Sequence, residues 1–305
     1  MNQQIVENYI KAGKAVIAAK KLAKKIAIPG KSFLEVANLC EEEILKNGAQ
    51  LAFPINMSLN EIAAHYSPPI DDDTVIPERG LLKIDVGAHY NGYIADSAFT
   101  INLDEDPKLQ DYITAAKNAL DAAIEIFRPG TKLYELGEAI ANEIIKFGLR
   151  PITNLGGHEL KQYNLHAGPF IPNYKEIIHN QTLKNGDAYA CEPFVTSGVG
   201  KVENGSKAYI FRFLKKVKKN IPYEEKGYMT KIEQNFKHLP FSPRWLENRN
   251  LIPKNKIQRI IDSFLRRKII DKYPILIERT KKPVAQYEHT IIIDENGKTI
   301  VTTKE

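Results

Sequence analysis

Cysteine is scarce in this chain. Cys40 and Cys191 are the two it has in 305 residues, far apart and in no metal-ligand spacing. That argues against a disulfide scaffold and a thiolate metal site, and fits a reducing compartment. Long apolar runs are missing as well: none approaches the length of a membrane span, so no membrane partner is expected. The first fourteen residues carry Asn2, Gln3, Gln4, Glu7 and Lys11, with no apolar core behind a charged start. No signal peptide is expected there, and the expected location is cytoplasmic. What is present is ordinary for a globular protein, 43% hydrophobic and 26% charged. The length suffices for one large domain, or one domain plus a smaller one, around a sizeable core.

The net charge of +6 hides a division. Residues 207–272 hold 18 basic and 6 acidic side chains, and the remainder holds 25 basic and 31 acidic. A basic block inside an acidic host suggests two units with different partners. Residues 1–206 and 273–305 are read as the main unit and 207–272 as an insertion. Runs such as Lys215-Lys216-Val217-Lys218-Lys219 are commonly solvated surface. So large an excess in one small unit also favours ribosomal RNA or the ribosome surface through phosphate contacts; DNA is not expected.

Apolar spacing predicts a helix from Ile5 to Lys25, and Ser32 with Glu35 forms a capping box for a second helix ending near Asn47-Gly48. Leu81–His89 and Tyr93–Leu103 read as strands about a Tyr90-Asn91-Gly92 turn. Helices are expected over Pro107–Phe127 and Tyr134–Phe147, then strands over Asp187–Thr196 and Val284–Asp294. The two halves look like an internal duplication in architecture. In the basic block, Met229–Phe236, Pro243–Asn248 and Lys254–Lys268 read as helices, with a short hairpin over Tyr273–Val284, an arrangement of the winged-helix kind.

The chemistry begins with Asp85 and Asp96. A hairpin turn centred near Tyr90-Asn91 sets them directly opposite each other among apolar neighbours. Opposed side chains lie about 4.5–5.5 Å apart, where like charges repel. A shared proton or bound cations would relieve this; a register slip of one residue would instead turn one of them to solvent. His158 follows Gly156-Gly157, while Glu192 and Glu288 sit in apolar strands where an unmet charge is expensive. Four carboxylates and one imidazole suit Mn, Fe, Co or Zn, and paired metals bridged by carboxylates are a hydrolytic device.

The set Asp85, Asp96, His158, Glu192 and Glu288 resembles the five ligands of the pita-bread metallopeptidases, with Lys83-Ile84-Asp85-Val86-Gly87, Ile94-Ala95-Asp96-Ser97-Ala98 and Tyr287-Glu288-His289-Thr290 as matching strings. Three features are similar to type II methionine aminopeptidases of the short, archaeal form. They are Ala52-Phe53-Pro54 with Asn60 to Pro68 around His65, Gly157-His158 followed by Leu165-His166-Ala167-Gly168, and the insertion before the last ligand strand. The resemblance implies an α+β pita-bread fold with pseudo-twofold duplicated halves and an inserted, mainly helical subdomain, usually a monomer. It implies two divalent ions per chain and removal of the N-terminal methionine of nascent polypeptides with a small second residue. In that reading His65 polarises the first peptide carbonyl, Glu192 relays the proton, His166 contacts the peptide beyond the scissile bond, and Phe53 and Leu165 line the methionine pocket. His89, His179, His238 and His289 take no defended role, though His289 could support its neighbour Glu288. Two alternatives stay open: a proline-specific aminopeptidase or dipeptidase on the same fold, and a non-catalytic homologue that binds ribosomes or RNA.

Overall fold

The structure is a computed structural model that describes residues 1–214 and 221–305. The Lys215–Lys219 run therefore lies outside the described residues.

Helix α1 (Gln3–Ile26) starts where the Asn2 side chain accepts the Ile5 N–H, and it buries Tyr9, Ala12, Val16, Ala19 and Ala23. That stripe of mostly small residues lets it lie closely across a strand pair. Helix α2 (Phe33–Lys46) is capped by Ser32, which accepts the Glu35 N–H. Short strands β1 (Gln50–Leu51), β2 (Asn56–Leu59) and β3 (Ile62–Ala64) lead to the long hairpin of β4 (Leu81–Tyr90) and β5 (Tyr93–Asn102). Asn91 and Gly92 both have positive φ, 52° and 85°, as a two-residue turn of this hand requires. β4 is the centre of a sheet with β1, β2 and β5 beside it, and α1 packs on β4 and β5.

The chain then repeats the theme. Helices α3 (Pro107–Glu125) and α4 (Leu133–Ile145) pack together as α1 and α2 do. Strands β6 (Arg150–Pro151), β7 (Gly157–Glu159), β8 (Phe170–Ile171), β9 (Ala188–Cys191) and β10 (Phe194–Thr196) follow. The basic block lies between two long strands, β11 (Val202–Phe213) and, after α5 (Tyr223–Phe236), β12 (Pro240–Phe241), α6 (Pro243–Asn248) and α7 (Lys254–Arg266), β13 (Ile270–Glu278). β14 (Val284–Gln286), β15 (His289–Ile293) and β16 (Thr299–Val301) complete the second half, in which β9 pairs with β7 and β15.

Three local expectations are corrected. The hairpin register pairs Tyr90 with Tyr93, so Asp96 faces Gly87 and Asp85 faces Ala98. The turn lies one residue further along than the sequence suggests, at Asn91-Gly92, because both central positions need positive φ. A change of two in register keeps both carboxylates on one face, now diagonal rather than opposed. Second, the expected strands at 187–196 and 284–294 are each broken, at Glu192-Pro193 and at Tyr287-Glu288. Third, Tyr273–Val284 is no hairpin. β13 pairs with β11 along its length and with β3 through Leu276↔Ala64 and Ile277↔Ile62. The residues after it form a turn held by the buried Glu278 carboxylate, which accepts from Thr280, Lys282 and Val199. Pro274, which lacks an N–H, sits where the β11–β13 ladder is irregular, as a strand proline must.

The basic block is fastened to the rest of the molecule. One apolar core runs from α1, α2 and β4 into α5, α6 and α7. Within it the Arg244 guanidinium donates to both Glu41 oxygens at 2.7 and 2.8 Å, and Trp245 Nε1 adds a third bond at 2.9 Å. Buried charge is tolerable only with such complete pairing.

Candidate functional site

The five acidic and imidazole residues converge because the two halves of the fold are stitched together at β5. Thr290 Oγ1 on β15 accepts the Asp96 N–H at 2.7 Å and donates to Asp96 O at 2.9 Å. Ser97 Oγ donates to Glu288 O at 2.6 Å, and Thr100 Oγ1 donates to Gln286 O and accepts the Gln286 N–H. β5 thus holds the bend between β14 and β15, and the bend turns the Glu288 side chain inward. Glu192 sits at the matching bend between β9 and β10, where Pro193 supplies no N–H to continue a ladder. His158 reaches the same point on β7. Its neighbour Gly157 has no room for a side chain, since a Cβ there would stand 2.4 Å from Ala190 O on β9.

One cavity of about 200 Å³ is lined by all nine residues singled out above: Phe53, His65, Asp85, Asp96, His158, Leu165, His166, Glu192 and Glu288. Asp96, His158 and Glu288 each present a ligand atom within 4.8 Å of the others. His158 Nε2 is 3.7 Å from Asp96 Oδ2 and 3.6 Å from Glu192 Oε1, too far for hydrogen bonds. Burial raises the carboxyl pKa at Asp85 to about 7 and pushes those of Asp96, Glu192 and Glu288 well above the usual range, and their mutual repulsion pushes the last three further. Burial lowers the His158 pKa to about 4, leaving a neutral imidazole. Asp85 Oδ1 and Asp96 Oδ1 are enclosed without a hydrogen-bond partner among the described residues. Enclosed carboxylate oxygens without donors, beside a neutral imidazole, fit divalent cations of the Mn, Fe, Co and Zn type.

Around that cluster the walls differ. Phe53 occupies the space above Gly87, where a Cβ would lie 2.1 Å from its ring, and with Leu165 makes an apolar end. His65 follows β3 with φ of 70°, a strained position for a non-glycine residue. Its Nδ1 lies 3.0 Å from Pro274 O. A carbonyl only accepts, so the ring proton is on Nδ1. Burial lowers its pKa to about 4. The neutral ring therefore offers the cavity a lone pair at Nε2, and the carbonyl-polarising role expected for His65, which needs a donor, does not suit this tautomer. His166 is at the open side, its Nδ1 3.4 Å from the Tyr273 hydroxyl and its ring 4.3 Å from that of His158.

Sequence reasoning missed three contributors. Gln286 Nε2 donates to Glu192 Oε2 at 3.2 Å and reaches Glu288 Oε2 at 3.5 Å; a polar residue two before Glu288 in an apolar segment was a usable signal. Lys20 is 3% exposed on α1 and donates to Ser97 Oγ at 2.8 Å; a lysine on a buried helix face was another. Tyr273 arrives from the far end of the basic block, and nothing local in the sequence marks it.

Comparison with known proteins decides the family. The profile of metallopeptidase family M24 matches residues 7–295. The chain belongs to metallopeptidase family M24. A methionine aminopeptidase of Pyrococcus horikoshii is 40% identical over 297 residues, covering 97% of this chain and 99% of that one. Another M24-like relative, the methionine aminopeptidase of Archaeoglobus fulgidus, is 40% identical over 305 residues, covering 99% of this chain and all of its own length. Among solved structures, the methionine aminopeptidase of Thermotoga maritima superposes with a TM-score of 0.72 at 24% identity, covering 100% of this chain and 98% of that chain. The shared architecture is the α+β pita-bread fold, and membership of M24 makes this a metal-dependent hydrolase that uses divalent cations. No helix among the described residues is long and apolar enough to cross a membrane.

Proposed function

We propose that this protein is a methionine aminopeptidase that removes the N-terminal methionine from nascent polypeptides with a small second residue, in the cytoplasm. The observation that carries the reading is the single cavity in which an apolar end, Phe53 and Leu165, adjoins four carboxylates and His158. Asp85, Asp96, His158, Glu192 and Glu288 are the residues that would hold two divalent ions. Such ions would supply Lewis acidity and a water acidic enough to ionise near neutral pH.

The chain's own residues do the rest. The methionine side chain lies against Phe53 and Leu165, an apolar surface for an unbranched thioether, and its free amine faces Asp96. Glu192 takes the proton of the attacking water and delivers it to the leaving amine. His65, with its Nδ1–H given to Pro274, accepts a backbone N–H of the substrate at Nε2 and so fixes the peptide. His166, whose Nδ1 faces the Tyr273 hydroxyl, contacts the peptide beyond the scissile bond. The unit formed by residues 1–206 and 273–305 carries this chemistry. The basic unit, 207–272, walls one side of the cleft and is the part that would meet ribosomal RNA, which salt-sensitive co-sedimentation with ribosomes tests.

The deciding experiment is cleavage of Met-Ala-Ser after chelator stripping and metal add-back, with Asp85→Ala and Glu288→Ala beside the parent. Release of methionine restored by metal in the parent alone is the expected result. Cleavage only of Xaa-Pro peptides would move the protein to the proline-specific branch of the fold, and no cleavage with metal still bound would make it a binding protein.

A further inference from the structure

A second pocket, of about 190 Å³, opens where the basic block meets the β4–β5 hairpin and the loop around Tyr163. Among the described residues, no carboxylate lines it. Its two cations and its imidazole come from three separated segments, His89 at the end of β4, Lys237 just past α5 and Arg249 just past α6, and the side-chain amides of Gln50, Gln234 and Asn235 complete its polar lining. Neither cation has a carboxylate partner among the described residues. Lys237 Nζ is held 3.3 Å from the centroid of the Tyr163 ring, and the Arg249 guanidinium lies 5.2 Å from those of both Phe236 and Trp245. Aromatic faces position a cation without neutralising it. Glu41, the acid whose charge acts on Arg249, is occupied by Arg244, Trp245 and the Ile55 N–H.

Two details point to a ligand rather than to leftover surface charge. His89 Nδ1 accepts the Gly92 N–H at 3.1 Å, so the ring proton is on Nε2, a donor that no described residue accepts. Lys237 adopts φ of 52° and ψ of −116°, a conformation that favours glycine. A lysine there, rather than glycine, puts an ammonium at the pocket against a local backbone preference.

We propose that this pocket binds a phosphoryl group, with Lys237 and Arg249 balancing its charge and His89 Nε2–H donating to it. Charge-assisted donors from three directions are what a tetrahedral oxyanion requires. The inference goes beyond the peptidase reading and stands without it. The pocket adjoins the carboxylate cavity, because three segments contribute to both: Leu51 and Phe53, Tyr163 and Leu165, Leu239 and Pro240.

The test is calorimetric titration of the whole protein with inorganic phosphate at constant ionic strength, with chloride as the control anion. Lys237→Ala and Arg249→Gln are titrated beside the parent, with circular dichroism showing each folded. Saturable binding of one phosphate that survives chelation and weakens at least tenfold in both variants is the expected result. A second titration with a short RNA oligonucleotide lacking terminal phosphates identifies the source. If it competes with phosphate, the group recognised is a phosphodiester of RNA; if it does not, the ligand is a free phosphate or a phosphomonoester. Absence of saturable binding overturns the proposal. So does phosphate binding that disappears on chelation and is untouched by Lys237→Ala, because that anion would sit in the carboxylate cavity.

Discussion

Two cavities of nearly equal size adjoin in this molecule and carry opposite charge. The front one, about 200 Å³, gathers Asp85, Asp96, Glu192 and Glu288 from strands and strand breaks; the rear one, about 190 Å³, gathers Lys237, Arg249 and His89 from element ends. The difference is one of burial. The front charges sit on the inside of sheets, where water screens them poorly, so all four carboxyl groups are driven toward their protonated forms. The rear charges lie at the rim of a loop-built pocket, where solvent and aromatic faces share the work. An acidic cluster in sheet interiors demands a counter-ion, whereas a basic cluster at element ends only invites one.

The sharpest way to break this contrast is to remove a front carboxylate. Glu288→Ala should lower methionine release on the order of a thousandfold. In chelator it should melt no lower than the parent, because the deletion removes one of four crowded carboxyl groups whose ionisation the fold opposes. A variant that melts several degrees lower without metal would mean that the carboxylates stabilise one another, and that the cluster is a structural network.

The next effect is a pH slope of opposite sign with and without metal. The Asp85 carboxyl titrates near 3.8 when unperturbed and near 7 in the fold. A raised pKa means the folded state binds the extra proton. The stability it contributes is complete below the unfolded value and is lost as pH rises toward 7. At roughly 1.4 kcal/mol per pKa unit this is a few kcal/mol. Metal-free protein should therefore lose stability between pH 4 and 7 in urea titrations. Metal-loaded protein should gain it, since cations displace those protons. Equal slopes in the two forms would deny the cations a place among these oxygens.

A smaller effect is expected at His65, which in the proposed function holds substrate without joining the acidic cluster. His65→Ala should lower kcat about a hundredfold through loss of peptide positioning while the metal content, measured after dialysis, stays at the parent's level. Loss of metal in that variant would place His65 inside the cluster.

Most of the front cavity was legible in the sequence, and most of the rear one was not. Asp85 and Asp96 are readable because a strand alternates faces with a period of two, so even an error of two in register leaves them together. Glu192 and Glu288 are readable because a carboxylate in an apolar segment must be met by something. What the pattern could not show is that both segments break at those very residues: a bend between two strands has the same apolar composition as one long strand. The β13 pairing was missed for a related reason. A local hairpin over Tyr273–Val284 and a distant ladder with β11 need the same alternation, and only tertiary contact with β3 selects the latter. Lys237, Arg249 and His89 are scattered over 161 positions of sequence, in spacings that carry no periodic signal.

The smallest effect tests whether the rear charge is kept for its own sake. Lys237 stands in a backbone conformation with φ of 52° that glycine adopts freely. Such strain costs about 1–3 kcal/mol in a non-glycine residue, and the contact of its ammonium with Tyr163 returns about 0.5–1 kcal/mol. Lys237→Gly also gives the unfolded chain more freedom, a cost of up to about 1 kcal/mol. The balance favours a variant as stable as the parent or slightly more so, by up to about 1 kcal/mol in urea unfolding. That outcome would mean the fold does not need this lysine, leaving the anion as the reason for its charge. A loss of 2 kcal/mol or more would make Lys237 a structural clamp on the Tyr163 loop, and the two cavities would then differ in what they stabilise rather than in what they bind.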